Sequence, residues 1–335
     1  MLDWRSAGQP VEEDLSMPLI FTNPVFPHYM ADPFVLTHDR VYYAYGTGPA
    51  GPDGRQFPVL VSPDLVTWEA VGWALQPLPG ADQYWAPEVV YAEGVFYMYY
   101  SANGQGHNHQ LRVATSLRPA GPFQDTGRVL IPDDPFTIDA HPFQDRDGTW
   151  YLFYARDFLT CDGDYRVGTG IVVDRLVDMV TLGGNPQVVV RPHSDWQLFE
   201  ARRALYGRVY DWYTIEGPAV RVHANRYYCF YSGGAWHNDN YGVSYVVADH
   251  PLGPYRRPNH EGPLLKSVPG HVIGPGHNSF ALGPDGRQEF IVYHAWSPDM
   301  SARLMRIDRL VWHDGQPFVK GPTWTAQTIG QVGRR

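Results

Sequence analysis

Five times along this chain, a polar residue set in an apolar turn is followed by a tyrosine-rich run. The fourth copy is the plainest: Glu216 sits in an Ile-Glu-Gly-Pro turn, and Tyr227-Tyr228-Cys229-Phe230-Tyr231 follows. The other copies lead with Asp32, Glu88, Asp139 and His277, ahead of aromatic runs ending at Tyr45, Tyr100, Tyr154 and Tyr293. Leading residue and last tyrosine lie about 12 to 16 residues apart, and the units recur every ~50 to 77 residues, a period that marks a radial β array. Five copies predict an all-β fold, a five-bladed β-propeller. First strands of such a fold crowd the axis, so one polar residue per blade converges on a single pocket.

Composition agrees with many short strands and tight turns. The 335 residues include 34 Gly and 30 Pro, 14% are aromatic, and proline at this density disfavours long helices. Asp147-Gly148 reads as a hairpin turn, and Gly121-Pro122-Phe123 returns as Gly253-Pro254-Tyr255. Residues 1–20 read as an irregular entry segment and residues 21–335 as one catalytic domain. The stretch 195–214 fits either a strand pair or a short helix.

Charge and targeting signals narrow the partners. A net charge of -9 without a Lys/Arg patch argues against nucleic acid. No run approaches the roughly 18 apolar residues of a membrane helix, and no secretory signal opens the chain, so a cytoplasmic protein is expected. The two cysteines, Cys161 and Cys229, cannot build a disulfide framework, and Cys229 reads as a small buried hydrophobe.

Taken singly, an Asp before Pro or a Glu before Gly is a turn residue. Together, Asp32, Asp139 and Glu216 stand at matching points of repeating units, behind Ala31, Ile138 and Ile215. A buried acid costs several kcal/mol unless it is paired or used. Two carboxyls across a pocket can hydrolyse a glycosidic bond, one activating water and the other protonating the leaving oxygen. A third acid nearby keeps the donor protonated by like-charge repulsion. Glu216, with the longer side chain, is the candidate donor. Trp73, Tyr84, Trp85, Trp236 and Trp296 are candidate walls for sugar C–H faces, although core packing is the commoner use of each such residue.

With these residues in view the chain resembles glycoside hydrolase family 43, the five-bladed propeller glycosidases. The matching segments are NPVFPHYMADPFV, YWAPEV, IDAHPFQDRDGTWYLFY, IEGPAV with NRYYCFYSGG, GPGHNSF with EFIVYHAW, and RIDRLVWHDGQP. They cover most of residues 21–322 in the family's order, and are specific as a set. The resemblance implies Asp32 as general base, Asp139 as the acid that modulates and orients, and Glu216 as general acid. It implies inversion, with the Asp32 and Glu216 carboxyls roughly 6.5–9.5 Å apart. By the same resemblance Arg303 contacts substrate. His277 lies under the pocket and is the candidate metal contact, since in many members this histidine touches a water-coordinated calcium or other ion. No cofactor is required for the reaction itself. Glu88 matches a motif near the axis without being one of the three acids. His107 and His109 have the spacing of metal ligands, but a loop at the pocket rim is the simpler reading.

The chain departs from the family at Asp32-Pro33-Phe34 and at Ile138-Asp139-Ala140-His141, both beside an acid, which places Phe34 among the candidate sugar contacts. No accessory domain fits after residue 322, which disfavours the larger two-domain xylosidases. The favoured reading is an α-L-arabinofuranosidase acting on short plant oligosaccharides, with β-xylosidase, endo-arabinanase and galactan-active hydrolase as alternatives. A fructan hydrolase, a phosphorylase or a non-catalytic sugar-binding propeller are the more distant ones. A phosphorylase needs a cationic phosphate site, and only Arg202 and Arg203 lie close together upstream of Glu216.

Overall fold

The computed structural model describes residues 18–104, 107–259 and 262–330. Among them the chain forms strands and a single 3-10 turn, Asp195–Gln197, with no α-helix and no helix long and apolar enough to cross a membrane. Five antiparallel blades surround an axis. Their innermost strands are Ala31–His38, Tyr84–Ala92, Thr137–Gln144, Arg208–His223 and Ile273–Leu282, each packed on the next around a closed ring.

The tyrosine runs form the second strands, and the packing explains their composition. A strand inside a propeller is buried on both faces, so it need not alternate apolar with polar. In Val41–Thr47, Tyr42 and Ala44 face blade 5, meeting Phe290 and Val292. The intervening Tyr43 and Tyr45 face blade 2, meeting Phe96 and Met98. The same two-sided use recurs in every blade and yields five apolar seams, one between each pair of neighbours. Cys229 belongs to the seam between blades 3 and 4, fully buried, as expected of a small hydrophobe.

Two features depart from simple repetition. Leu19–Phe21, at the edge of the supposed entry segment, is a strand paired with Gln327–Ile329, and Phe21 and Ile329 both enter the seam between blades 5 and 1. The ends of the described chain therefore stitch first and last blades together. The ambiguous stretch 195–214 turns out to be both alternatives in succession: the 3-10 turn, then Leu198–Leu205 paired with the first half of Arg208–His223. That half also pairs in parallel with Gly168 and Thr169 of blade 3. At Gly168 a Cβ would lie 1.8 Å from the Tyr213 carbonyl oxygen, so only glycine permits the junction.

Candidate active site

Every innermost strand bulges near its axial end. The residue at the bulge takes a left-handed φ: Asp32 (51°), Ala86 (46°), Asp139 (58°), Gly217 (58°) and His277 (50°). These five are the structurally equivalent positions. Asp32, Asp139 and His277 occupy them as spacing suggested, whereas Glu216 stands one residue before its bulge and Glu88 two residues after. Tyrosine spacing cannot resolve an offset of one residue.

The backbone N–H of each bulge residue is capped from the preceding blade. Ala86 donates to Thr47 Oγ1 at 2.9 Å, Asp139 to Ser101 Oγ at 3.0 Å, and His277 to Ser232 Oγ at 2.6 Å. Asp32 donates to His294 Nδ1 at 3.0 Å. The equivalent residue on blade 3 is Ala155, opposite Ile138, which has no acceptor. Gly217 N–H is taken instead by Asp139 Oδ2 at 3.0 Å. One candidate acid is thereby tied to the residue that follows another.

The three acids line one axial cavity of about 290 Å³ with Tyr29, Thr47, His277 and Arg303. Asp32 is ringed by cationic partners: Arg303 Nη1 at 3.2 Å and His277 Nδ1 at 3.4 Å, both on Oδ1. Burial alone would raise its pKa. Arg303 and His277 outweigh burial and hold the carboxyl well below its usual range. His294 Nδ1 accepts a backbone N–H, which puts the ring proton on Nε2, and burial pushes its pKa down to about 4. Arg303 is clamped in turn by two hydrogen bonds to Tyr29 OH, and its guanidinium lies 4.7 Å from the Trp236 ring centre.

The other two acids are shifted the opposite way. Burial raises Asp139 to about 6, with His277 opposing and Asp32 adding to the rise. Glu216 is raised to about 7, first by burial and then by the Asp139 carboxylate. Tyr241 OH donates to Glu216 Oε1 at 2.7 Å, leaving Oε2 to carry a proton. The Tyr241 ring passes so close to Gly276 that a Cβ there would lie 2.1 Å from it, which accounts for the glycine. Pairs of carboxyls pushed apart in pKa by their surroundings mark acid and base.

Of the aromatic candidates, Trp85 and Trp236 line the cavity. Trp85 stacks on His109 with ring centres 3.3 Å apart, so His109 lies on the strand His107–Ser116 and not in a loop. The side chain of His107 lies outside the described residues. Trp296 does not reach the cavity; it backs Trp236, donating its indole N–H to the Trp236 carbonyl. Phe34, Trp73 and Tyr84 line neither this cavity nor a second one that opens beside it. Phe34 packs into the seam between blades 1 and 2. Tyr84 lies buried in that seam and bonds Leu78, while Trp73, on an outer strand, lies against Gly51 and bonds Pro49. Glu88 accepts from His141 Nδ1 at 2.7 Å, and His141 Nε2 accepts the Val220 N–H, so the unusual His141 ties blade 2 to blade 4.

No three His, Cys, Asp or Glu side chains cluster as metal ligands among the described residues. Burial disfavours charge on His277, but Asp32, Asp139, Glu216 and Glu88 outweigh it and raise its pKa. An imidazole ligates a metal only as the neutral ring, so an ion at His277 would have to displace the proton that these four acids favour. Tyr29, Tyr241 and His294 were not foreseen. Tyr29 and His294 lie in segments that carry the family resemblance but have no role implied by it, Tyr241 lies outside every such segment, and all three reach the site through blade closure.

Residues 21–317 match the family "Glycosyl hydrolases family 43". A β-D-galactofuranosidase of Aspergillus niger is 29% identical over 313 residues, covering 87% of this chain and 82% of that protein. An extracellular exo-α-(1→5)-L-arabinofuranosidase of Streptomyces avermitilis is 25% identical over 325 residues, covering 89% of this chain and 62% of that one. The crystal structure of a thermostable family-43 glycoside hydrolase superposes with a TM-score of 0.83 at 35% identity, covering 93% of this chain and all of the other.

Proposed function

Because the chain belongs to glycoside hydrolase family 43, we propose that it is an inverting, exo-acting α-L-arabinofuranosidase that trims short, neutral plant-derived oligosaccharides. The observation that carries the hydrolytic part of this reading is the opposed titration of two acids in one cavity, and the Streptomyces avermitilis relative supports the sugar and the exo action. Asp32 is held ionised below the usual carboxylate range, and Glu216 is held protonated up to about pH 7.

The chemistry follows from those two states. Asp32 takes a proton from a water as its oxygen attacks the anomeric carbon. Glu216 gives its proton to the bridging oxygen as the bond from that carbon to the leaving group breaks. Asp139 favours the protonated form of Glu216 by charge repulsion and fixes the adjacent Gly217 N–H. Arg303 and His277 balance the charge on Asp32. The two proton transfers need no cofactor. An ion held near His277 through water would act by its field alone.

The Aspergillus relative supports a second reading, a β-D-galactofuranosidase. The two sugars share a ring configuration and differ by one exocyclic hydroxymethyl group. Nitrophenyl α-L-arabinofuranoside, β-D-galactofuranoside, β-D-xyloside and β-D-galactoside, run beside arabino-oligosaccharides, separate the possibilities. Turnover is expected to be highest on the arabinofuranoside, with single sugars released and the first-formed product inverted by NMR. A retained anomer, or phosphate-dependent turnover, rules the proposal out. An intracellular site of action is part of it, and activity recovered only from the medium counts against that part.

The capping pattern supplies a sharper test of the Asp139 role. Ala155→Ser offers Gly217 the hydroxyl that three of the other blades provide, and so frees Asp139 Oδ2. Turnover is expected to fall roughly tenfold at unchanged melting temperature, since small displacements of a reacting group cost rate steeply. An unaltered kcat would show that the Asp139 tie to Gly217 does not matter.

A further inference from the structure

A second cavity, of about 220 Å³, opens beside the axial one. Trp85, Ile138, Glu216 and Trp236 line both. Of the three acids only Glu216 is shared; Asp32 and Asp139 belong to the axial cavity alone. A group that protonates a bridging oxygen stands between the two units joined by that oxygen. The junction of the two cavities is therefore where the scissile bond belongs, with one unit on each side.

The outer cavity is built by the element that breaks the repeat. The inner strand of blade 4, Arg208–His223, has 16 residues where the others have 8 to 10. Its extra half and Leu198–Leu205 form a hairpin that brings Phe199, Arg203, Tyr206 and Trp212 to the cavity. The Arg203 guanidinium lies 4.9 Å from the Phe199 ring centre and 5.6 Å from that of Trp212. Stacked in this way it is a preorganised bank of donors. Its ion pair with Glu200, Nε to Oε2 at 3.6 Å, is long and engages one edge only. Asp157 also lines the cavity, with its carboxylate taken up by Thr169 Oγ1 at 2.9 Å and Tyr206 OH at 2.8 Å.

We propose that this recess binds the second sugar of the substrate, the unit on the leaving-group side, and that the hairpin selects a neutral sugar there through donation from Arg203 to its hydroxyls. The assignment rests on the hydrolytic reading above. Glu200 and Asp157 offset the charge of Arg203, so an anionic sugar gains little. The aromatic rings suit the C–H faces of a sugar.

Two substrates with the same reacting sugar test it: a neutral disaccharide and the glycosyl fluoride, whose leaving group is a single atom. Arg203→Ala is expected to lower kcat/KM on the disaccharide about tenfold, mainly through KM, and to leave the fluoride within about twofold. Phe199→Ala should move the same ratio in the same direction. Equal losses on both substrates, or none on the disaccharide, overturn the subsite, as does a uronate-bearing disaccharide that outcompetes the neutral one. In those cases an active wild type leaves the hydrolase reading standing. A folded wild type inert on every glycoside and fluoride overturns that reading and the subsite with it.

Discussion

Glu216→Ala is expected to lower kcat on natural oligosaccharides at least ~10²-fold. It should lower it far less on a dinitrophenyl glycoside, whose leaving group departs without a proton. The split between the two substrates identifies a proton donor, because a folding defect would depress both. Undiminished turnover of the natural substrate would remove Glu216 from the mechanism. The same residue makes a stability prediction of definite sign. Its pKa rises from 4.5 to about 7 on folding, so the folded state resists a charge that the unfolded state accepts. The penalty is absent well below pH 4.5, grows as pH rises through that interval, and is constant above it. Glu216→Gln should therefore raise the melting temperature more at pH 8 than at pH 5. A wild type that gains stability over that interval, relative to the Gln variant, contradicts the assignment.

Asp32→Asn should be the more damaging change. Loss of the base removes turnover by ~10²–10⁴-fold on natural and activated substrates alike, since both need the attacking water. It also leaves Arg303 and His277 without their counter-charge. Breaking a buried pair from one side costs about 3–5 kcal/mol, so a clear fall in melting temperature at neutral pH accompanies the loss of activity. The folded pKa of Asp32 lies below its unfolded value, so its contribution is present at neutral pH and fades as pH falls through the folded pKa. The gap between wild type and variant should narrow in acid. A variant as stable as wild type at pH 7 would mean that the Arg303 contact contributes nothing.

The five-bladed plan was legible because each second strand faces two neighbours, and that demand writes uninterrupted aromatic runs such as Val95–Tyr100 into the chain. The acids were legible because each breaks an apolar strand entrance. Phe34 was misplaced for a definite reason. The bulge at Asp32 resets the alternation of side chains, and the next aromatic falls into the seam. Arg203 and Tyr241 could not be found by local pattern, and His294, although inside a segment that carries the family resemblance, had no spacing that marked it out. Arg203 depends on a hairpin whose strand character was ambiguous in 195–214. Tyr241 and His294 owe their positions to closure of the ring. Tyr84 and Trp73 show the limit of composition: residues suited to holding sugar are equally suited to filling a seam.

The bulge caps form a relay in which each blade holds the bend of its successor and the last blade holds the first. The circuit has one link with no acceptor on the second strand, where the acid that modulates the proton donor stands in. A blade transplanted from another propeller would bring its own acid but would need the right hand reaching over from the blade before it. The smallest portable piece of this site is thus a pair of adjoining blades, and blades 3 and 4 are the pair that cannot be separated.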